Sequence, residues 1–175
     1  MAKKKLPLGI VDADLYVNGS NALEGVGVVE LPNVESATIT TEQFGMAAEF
    51  EAPLIGHYKK MSAKVKMDSM NDTLLNFNNN DSITLECLGA LQQLDRMTHS
   101  PKITGADATL KGFITKFDGP KVENGKKFEG SFDLSITYYK LTINGKTIIE
   151  IDVLNGISNV NGSLNNIIRQ LLGHI

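Results

Sequence analysis

The sequence contains no tryptophan, a single cysteine and few aromatic residues, which make up only 6% of the chain. A lone cysteine excludes an intrachain disulfide framework and is typical of a protein made in a reducing compartment. Cys87 lies in an alternating stretch, so we predict that it is a small core residue and not a nucleophile. The scarcity of aromatic side chains argues against a surface that binds sugars by stacking.

The sequence also lacks an excess of basic residues and any long apolar run. It has 17 lysines and arginines against 20 acids, with a formal net charge of −3, whereas a nucleic-acid-binding domain usually has a basic face. The lysines at positions 3–5 are interpreted as a solvated end. No stretch approaches the ~20 apolar residues of a membrane-spanning helix, and none resembles a signal peptide. We therefore expect a soluble protein made in the cytoplasm.

Motifs for catalysis or cofactor binding are missing as well. His57, His99 and His174 are far apart in sequence, and Glu49 and Glu51 near His57 are more typical of a solvated surface than of a metal site. There is no P-loop, no nucleophile elbow and no paired-cysteine zinc pattern. The prediction is a protein that is not an enzyme and has no cofactor and no metal.

The regular patterns that are present are mainly those of β-strands. A length of 175 residues suits one domain spanning 1–175, and 16 scattered glycines favour short strands and turns. Strict alternation over 61–67 predicts a half-buried strand, and Asn144-Gly145 predicts a tight hairpin turn. A change of apolar parity after Tyr138 predicts a bulge near Tyr138-Tyr139.

Two helices are predicted beside these strands. Ser69 and Asp72 form a capping box that opens a short helix near 69–78. Ser163 caps a second helix that has an apolar stripe, and Gly173 is the expected stop. The predicted fold class is therefore mainly β, an antiparallel sandwich or barrel-like sheet that has one short helix and a C-terminal helix.

Residues 42–58 follow neither period and are predicted to form a long loop. A loop of this length inside a compact domain is usually functional, and its many apolar side chains indicate a contact surface. A loop folded onto its own core is the alternative. The contact candidates are Phe44, Met46, Phe50, Leu54, Ile55 and Tyr58.

The C-terminal part of the chain carries a family resemblance. Residues 149–157 read I-E-I-D-V-L-N-G-I, residues 160–162 read V-N-G, and residues 168–173 read I-R-Q-L-L-G. This pattern resembles the end of the major tail tube proteins of contractile-tailed phages. Residues 15–19, which read L-Y-V-N-G, are similar to that family but less sharply so.

The resemblance implies a sheet-rich structural subunit that forms stacked hexameric rings around a channel for DNA or ions. In this family a long early loop reaches between rings, which would be the role of residues 42–58. The implied partners are further copies of the chain, a tail sheath protein, a baseplate hub and a tail terminator. Phage-derived bacteriocins share the family, so the implied location is a phage tail or a bacteriocin particle.

Strand parity gives three candidate acids for the channel lining, Glu86, Glu150 and Asp152. A mildly acidic lining suits a tube through which DNA passes without specific binding, because a lining that attracted the phosphates would slow the DNA. The alternative functions are a non-catalytic β-sandwich binding module of a virion or cell surface, and an enzyme with a convergent acid site.

Overall fold

The computed structural model describes residues 5–19, 26–41, 47–69, 82–160, 170–171 and 173. These residues form ten strands, all paired in antiparallel fashion. The strands are β1 (Lys5–Val17), β2 (Val26–Glu30), β3 (Ser36–Thr41), β4 (Phe50–Tyr58), β5 (Met61–Met67), β6 (Ser82–Asp95), β7 (Pro101–Asp118), β8 (Gly130–Ile143), β9 (Lys146–Asp152) and β10 (Ile157–Val160). The predicted antiparallel β fold is confirmed.

The two predicted helices fall almost entirely outside the described residues, which omit 70–81 and 161–169. At the C-terminus Gln170 and Leu171 are helical, and Gly173 has a φ of 75° with its amide 3.1 Å from the Gln170 carbonyl. The described residues contain no complete helix, so both helices stay predictions. None of the helical structure described is long and apolar enough to cross a membrane.

Eight of the strands form one sheet, in the order β1-β6-β7-β8-β5-β2, and β9 and β10 branch from β8. Strand β8 is the centre of this arrangement. One of its edges pairs with β7 along nearly its whole length, whereas the other is shared, first by β5 and then by β9. The sheet therefore forks at the middle of β8.

A bulge in β8 marks this fork. Lys111 pairs with Tyr138 and Gly112 pairs with Ile136, so Thr137 is left as the extra residue, one position before the predicted bulge. Ile136 lies in the core before the bulge and Tyr139 lies in it afterwards, which confirms the predicted change of parity. The two arms of the fork can thus both turn an apolar face inward.

The core lies on one face of this forked sheet. Strand β5 contributes every second residue, Met61, Ala63, Val65 and Met67, all of them buried as the alternation predicts. Leu85 of β6 and Leu110 of β7 are fully buried opposite them in the same cluster. Because a single sheet supplies nearly all of these side chains, it must curve over on itself to enclose them. Within the described residues no ladder joins β1 to β2, so the sheet is not closed by pairing at its ends.

The turns that connect these strands follow the sequence closely. Asn144 and Gly145 have φ values of 53° and 73° and join β8 to β9, which confirms the predicted hairpin and shows that its turn is of the primed type. Asn18 and Gly19 also have positive φ, and the Asn18 side chain accepts a hydrogen bond from the Thr84 amide at 2.9 Å. This bond ties the end of β1 to β6.

The segment predicted as an irregular loop over 42–58 is only partly irregular. Residues 50–58 form β4, which pairs with β3 in a separate two-stranded sheet, while 42–46 lie outside the described residues. A bulge opposite 36–38 interrupts this ladder and hides the strand period. The prediction of a loop is therefore wrong for residues 50–58, which belong to a hairpin with β3.

Candidate assembly surfaces

Among the described residues no group of histidine, cysteine, aspartate and glutamate side chains is placed to hold a metal ion. The one cysteine, Cys87, packs against the core cluster from β6. Burial raises the pKa of its thiol to about 11, so the thiol is protonated at neutral pH. His57 lies exposed on β4. These positions offer no obvious catalytic group.

The β3–β4 hairpin displays apolar side chains to solvent. Phe50, Leu54 and Ile55, all contact candidates from the sequence, have exposed fractions of 51%, 39% and 52%. Tyr58 differs from them because it packs against the core cluster at the base of the hairpin. Phe44 and Met46 lie outside the described residues. The hairpin therefore carries a surface of exposed apolar side chains that the core of the main sheet does not cover.

Sequence reasoning missed one member of this surface, Ile39 of β3. It pairs with Ala52 of β4 and is half exposed. Its neighbours along the chain are threonines, so the sequence pattern of this strand is polar on both faces. The pairing with an apolar partner strand, which no local pattern reveals, is what makes Ile39 part of an apolar surface.

The base of the hairpin is tied to the following turn. The Lys59 amide donates to the Glu35 carbonyl at 2.8 Å, and the Lys59 ammonium forms an ion pair with the Glu35 carboxylate. The hydrogen bond from the Lys59 ammonium to the Glu35 carboxylate and the charge of Glu35 raise the pKa of Lys59. The backbone bond, which salt does not screen, fixes where the hairpin leaves the domain.

The three acids proposed from strand parity share one face of the main sheet. Glu86 on β6 lies in a row across the ladder with Thr109, Lys140 and Glu150. Asp152 lies in the next row, beside Tyr138. This face, which we call the polar face, is opposite the core. Further acids on it, among them Asp14 and Asp107, were not foreseen, and lysines that include Lys111 and Lys140 interrupt the acidic groups.

Glu150 is held by its neighbours on the polar face. The Tyr138 hydroxyl donates to the Glu150 carboxylate at 3.0 Å, and the Lys111 ammonium lies 5.4 Å from the centre of the Tyr138 ring. Partial burial, the hydrogen bond to Glu150 and the charge of Glu150 together raise the pKa of Tyr138 to about 12. Glu86, by contrast, is exposed and is in none of the salt bridges of the described residues.

Asp152, which lies on the polar face as its parity suggested, also holds a turn. Its carboxylate accepts from the backbone amides of Leu154 and Asn155 at 3.1 and 3.0 Å, and from the Asn155 side chain at 2.7 Å. Partial burial pulls its pKa upward, but these hydrogen bonds outweigh it and the pKa is lowered. Gly156 completes the turn with a φ of 62°. The D-x-L-N-G motif therefore builds the tight turn between β9 and β10.

The ends of the main sheet leave strand edges uncovered. Among the described strands β1 pairs only with β6, and β2 pairs only with β5. Strand β7 is also unpaired on its β8 side before Gly105, whose carbonyl accepts from the Asn144 amide at 2.8 Å next to the end of the β8 ladder. Such edges present backbone donors and acceptors that another chain can pair with.

A cleft of about 730 Å³ lies at the fork of the sheet. It separates the β4–β5 turn from the β9–β10 turn, and its lining includes His57, Tyr58, Ile136, Thr137 and Asp152. The volume is within the range of small-molecule sites. Tyr58 is the only aromatic ring besides that of His57 in this lining, so the cleft offers little surface for stacking.

Comparison with known proteins gives consistent matches. The family described as phage tail tube protein FII matches residues 7–173. The tail tube protein of Escherichia phage P2 is 27% identical over 82 residues, which are 47% of this chain and 45% of that protein. The matched stretch thus spans less than half the length of this relative.

Two solved structures are similar in fold. One is a sheath–tube complex of the extracellular contractile injection system PVC in the extended state, with a TM-score of 0.52 and 11% identity over 74% of this chain and 87% of that one. The other is a sheath/tube terminator structure of the same system, with a TM-score of 0.50 and 13% identity over 78% of this chain and 97% of that one. At these identities the likeness establishes the fold alone.

Proposed function

This chain belongs to the phage tail tube protein FII family, and we propose that it is a structural subunit of the inner tube of a contractile phage-like tail. The subunits form hexameric rings that stack around a central channel. The observation that carries this proposal is the family match, which covers nearly the whole chain from residue 7 to residue 173.

The exposed apolar hairpin supports this role. A monomer gains nothing from displaying Ile39, Phe50 and Ile55 in water, whereas a polymer can bury them against a neighbouring subunit. The hairpin spans the segment 42–58 for which the sequence implied contacts between rings. We therefore assign Phe50, Leu54 and Ile55, together with Ile39 and the undescribed Phe44 and Met46, to the contact between successive rings. Tyr58, which packs on its own core, anchors the hairpin.

The uncovered strand edges support assembly within a ring. Pairing of one subunit's sheet edge with that of the next satisfies backbone groups that otherwise bond only to water. Such head-to-tail contacts close into a ring when the rotation between subunits fits. The same contacts would remove the exposed edges of β1 and β7 from solvent.

The polar face is proposed to line the channel. Acids outnumber lysines on it, and Glu86, Glu150 and Asp152 all lie there. A lining of this kind lets DNA or ions pass without being held, because it repels phosphates. Glu86 is the exposed carboxylate of the three, whereas Glu150 and Asp152 are occupied by hydrogen bonds.

The proposed partners follow from this role. They are a sheath protein around the tube, a terminator at its end and a baseplate hub at its start, within a phage tail or a phage-derived particle. The structures that resemble this fold come from a sheath–tube complex and a sheath/tube terminator, which supports the first two. A catalytic activity is not part of the proposal.

A binding module is the competing function, and the cleft at the fork is the observation that favours it. Its lining is poor in aromatic groups, and the family match points to assembly. The two functions differ in whether the purified chain polymerises.

The decisive experiment is assembly of the purified chain, followed by sedimentation and negative-stain electron microscopy. We expect hollow rods or rings from the intact chain, and rings or monomers from the variant Phe50→Glu/Ile55→Glu, because two charges would then lie in the contact between rings. The matched control is Val122→Glu, since Val122 is 91% exposed in the 119–129 connection, away from the hairpin. An intact chain that stays monomeric and does not add to isolated baseplates would rule out the tube.

A further inference from the structure

Strands β1, β6 and β7 extend well beyond the rest of the sheet. Past the pair Ala106–Ile143, where β8 ends, β6 and β7 continue to the pair Leu94–Pro101, and β1 accompanies them to Lys5. We call residues 5–12, 89–95 and 101–105 the arm. Five further pairs, from Ala90–Gly105 to Leu94–Pro101, carry it roughly 17 Å outward at the usual rise per residue.

The arm has no covering layer among the described residues. Each of its two faces has an exposed apolar side chain: Ile10 lies on the face that continues the core, and Ile103 lies on the other, with exposed fractions of 63% and 66%. Leu88, at the base of the arm on the same face as Ile103, is 45% exposed, whereas Thr104 on the core side is buried. A three-stranded sheet that is apolar on both faces is a poor structure for a free monomer. Its stability and solubility both improve if another protein covers it.

The face that carries Leu88 and Ile103 contains a groove of about 370 Å³ at the base of the arm. The floor is formed by small residues, Ala90 and Gly105, which face each other across the ladder, and Leu88 and Ile103 form walls. Three aspartates, Asp12, Asp14 and Asp107, lie around it. None of the three is in a salt bridge within the described part of the chain.

The tip of the arm has the opposite character. Residues 96–100 form the turn between β6 and β7, held by the Asp95 carboxylate, which accepts from the Met97 amide at 2.8 Å. Met97 is 72% exposed, and the exposed cations Arg96 and Lys102 flank it. Neither cation is in a salt bridge within the described residues. The tip is therefore an apolar knob between two positive charges.

We propose that the tip of one copy docks into the arm groove of the next copy, with Met97 between Leu88 and Ile103 and with Arg96 and Lys102 facing the aspartates. This proposal rests on the tube function, because it takes a second copy of this chain as the partner. A chain cannot make the contact with itself, since the ladder of the arm holds its own tip away from its own groove. The contact is head-to-tail and can continue from copy to copy.

Charge complementarity identifies the partner. Acids surround the groove and cations flank the knob that fits it, and within the described part of the chain none of these charges is in a salt bridge. Close opposite charges across an interface can couple strongly, whereas like charges placed there oppose binding. The groove lies at the end of β8, where Asp107 pairs with Thr142, so it is at the rim of the polar face and leaves the channel itself open.

Charge reversal tests the contact. The groove variant is Asp14→Lys/Asp107→Lys, the tip variant is Arg96→Glu/Lys102→Glu, and the combined variant carries all of these changes. The protein concentration needed for half of the chain to sediment should rise about tenfold or more for each single-site variant. In the combined variant this concentration should return to within about threefold of the value for the intact chain, because the facing charges are again opposite. The control, Lys121→Glu/Glu123→Lys in the 119–129 connection, should assemble normally.

A cross-linking experiment keeps the test valid if a reversal variant fails to fold. One chain carries Met97→Cys and the other Ala90→Cys, both with Cys87→Ser, so that a disulfide can form only between copies. Mild oxidation of the mixture should give a covalent dimer of the two chains. Tubes without this dimer, or reversal variants that fold and assemble like the intact chain, would overturn the docking contact alone. An intact chain that remains monomeric under all conditions would overturn the tube function as well.

Discussion

Among single residues, Cys87 shows how the sheet sets the chemistry of a side chain. Its alternating sequence context predicted a core thiol, and the structure places it against the core with a pKa of about 11. At pH 8 the folded protein should react with a disulfide reagent roughly 200-fold more slowly than a free thiol of pKa about 8.5, because the thiolate is the reacting form. The rate should rise about tenfold per pH unit up to pH ~10.

Protein unfolded in urea is the control for this experiment and should react at the rate of a free thiol. A folded-state rate that levels off near pH 9 would contradict the raised pKa. The sign of the effect on stability follows from the same shift. The folded pKa lies above the unfolded one, so the contribution of the thiol to stability is complete below about pH 8.5 and is lost as the pH rises toward 11.

For Asp152, the alternation of side chains along the strand predicts only part of what the residue does. Strand alternation correctly placed it on the polar face with Glu86 and Glu150, but alternation says nothing about hydrogen-bond partners. Its carboxylate is used by the turn that follows, and that turn explains why the motif contains Asn155 and Gly156. Of the three acids, Glu86 is the one whose exposed charge is unoccupied by hydrogen bonds in the described structure.

For whole strands, sequence reasoning succeeded where the signal was local. The alternation of 61–67, the Asn144-Gly145 turn and the bulge in β8 are each encoded within a few residues. It failed for β4, because Pro53, Gly56 and a bulge mask the period and because the evidence for the strand is its pairing with β3. The order of the strands and the length of the arm depend on contacts distant in sequence, so no local pattern specifies them.

The bulge in β8 depends on Gly112 of the facing strand, and this makes a test at the level of strand pairing. A Cβ atom on Gly112 would lie 2.1 Å from the Ser135 carbonyl oxygen, which is backbone and cannot move aside. We expect Gly112→Ala to lower the free energy of unfolding by about 2 kcal/mol or more. Urea denaturation of the monomer measures this change.

Gly9→Ala is the matched control, because nothing lies within 4 Å of its Cβ position and its φ is negative. Its effect should stay within about 0.5 kcal/mol. Equal stabilities for the two variants would mean that β7 and β8 can separate at the bulge at little cost. In that case the fork would be a loose feature of the sheet and not a fixed one.

In the whole molecule, assembly and passage are assigned to different surfaces. The hairpin, the strand edges and the arm are apolar or unpaired and are proposed to face other subunits, whereas the polar face is charged and is proposed to face the channel. A subunit divided in this way can change the charge of its channel without changing its contacts. Glu86 makes that separation testable, since it is exposed and lies in the middle of the polar face.

The variant Glu86→Lys should assemble into tubes like the intact chain, but its channel should attract DNA. Each ring then gains several positive charges, and phosphate neutralisation drives binding that weakens steeply with salt. Short duplex DNA mixed with such subunits during assembly should be protected from nuclease at about 50 mM salt, and at about 200 mM it should be released and digested.

The control is Glu123→Lys, which makes the same charge change in the 119–129 connection. This variant should bind DNA at most on the outside of the tube and leave it open to digestion. If both variants protect DNA equally, or neither does, Glu86 does not face the channel and a different face of the sheet must line it.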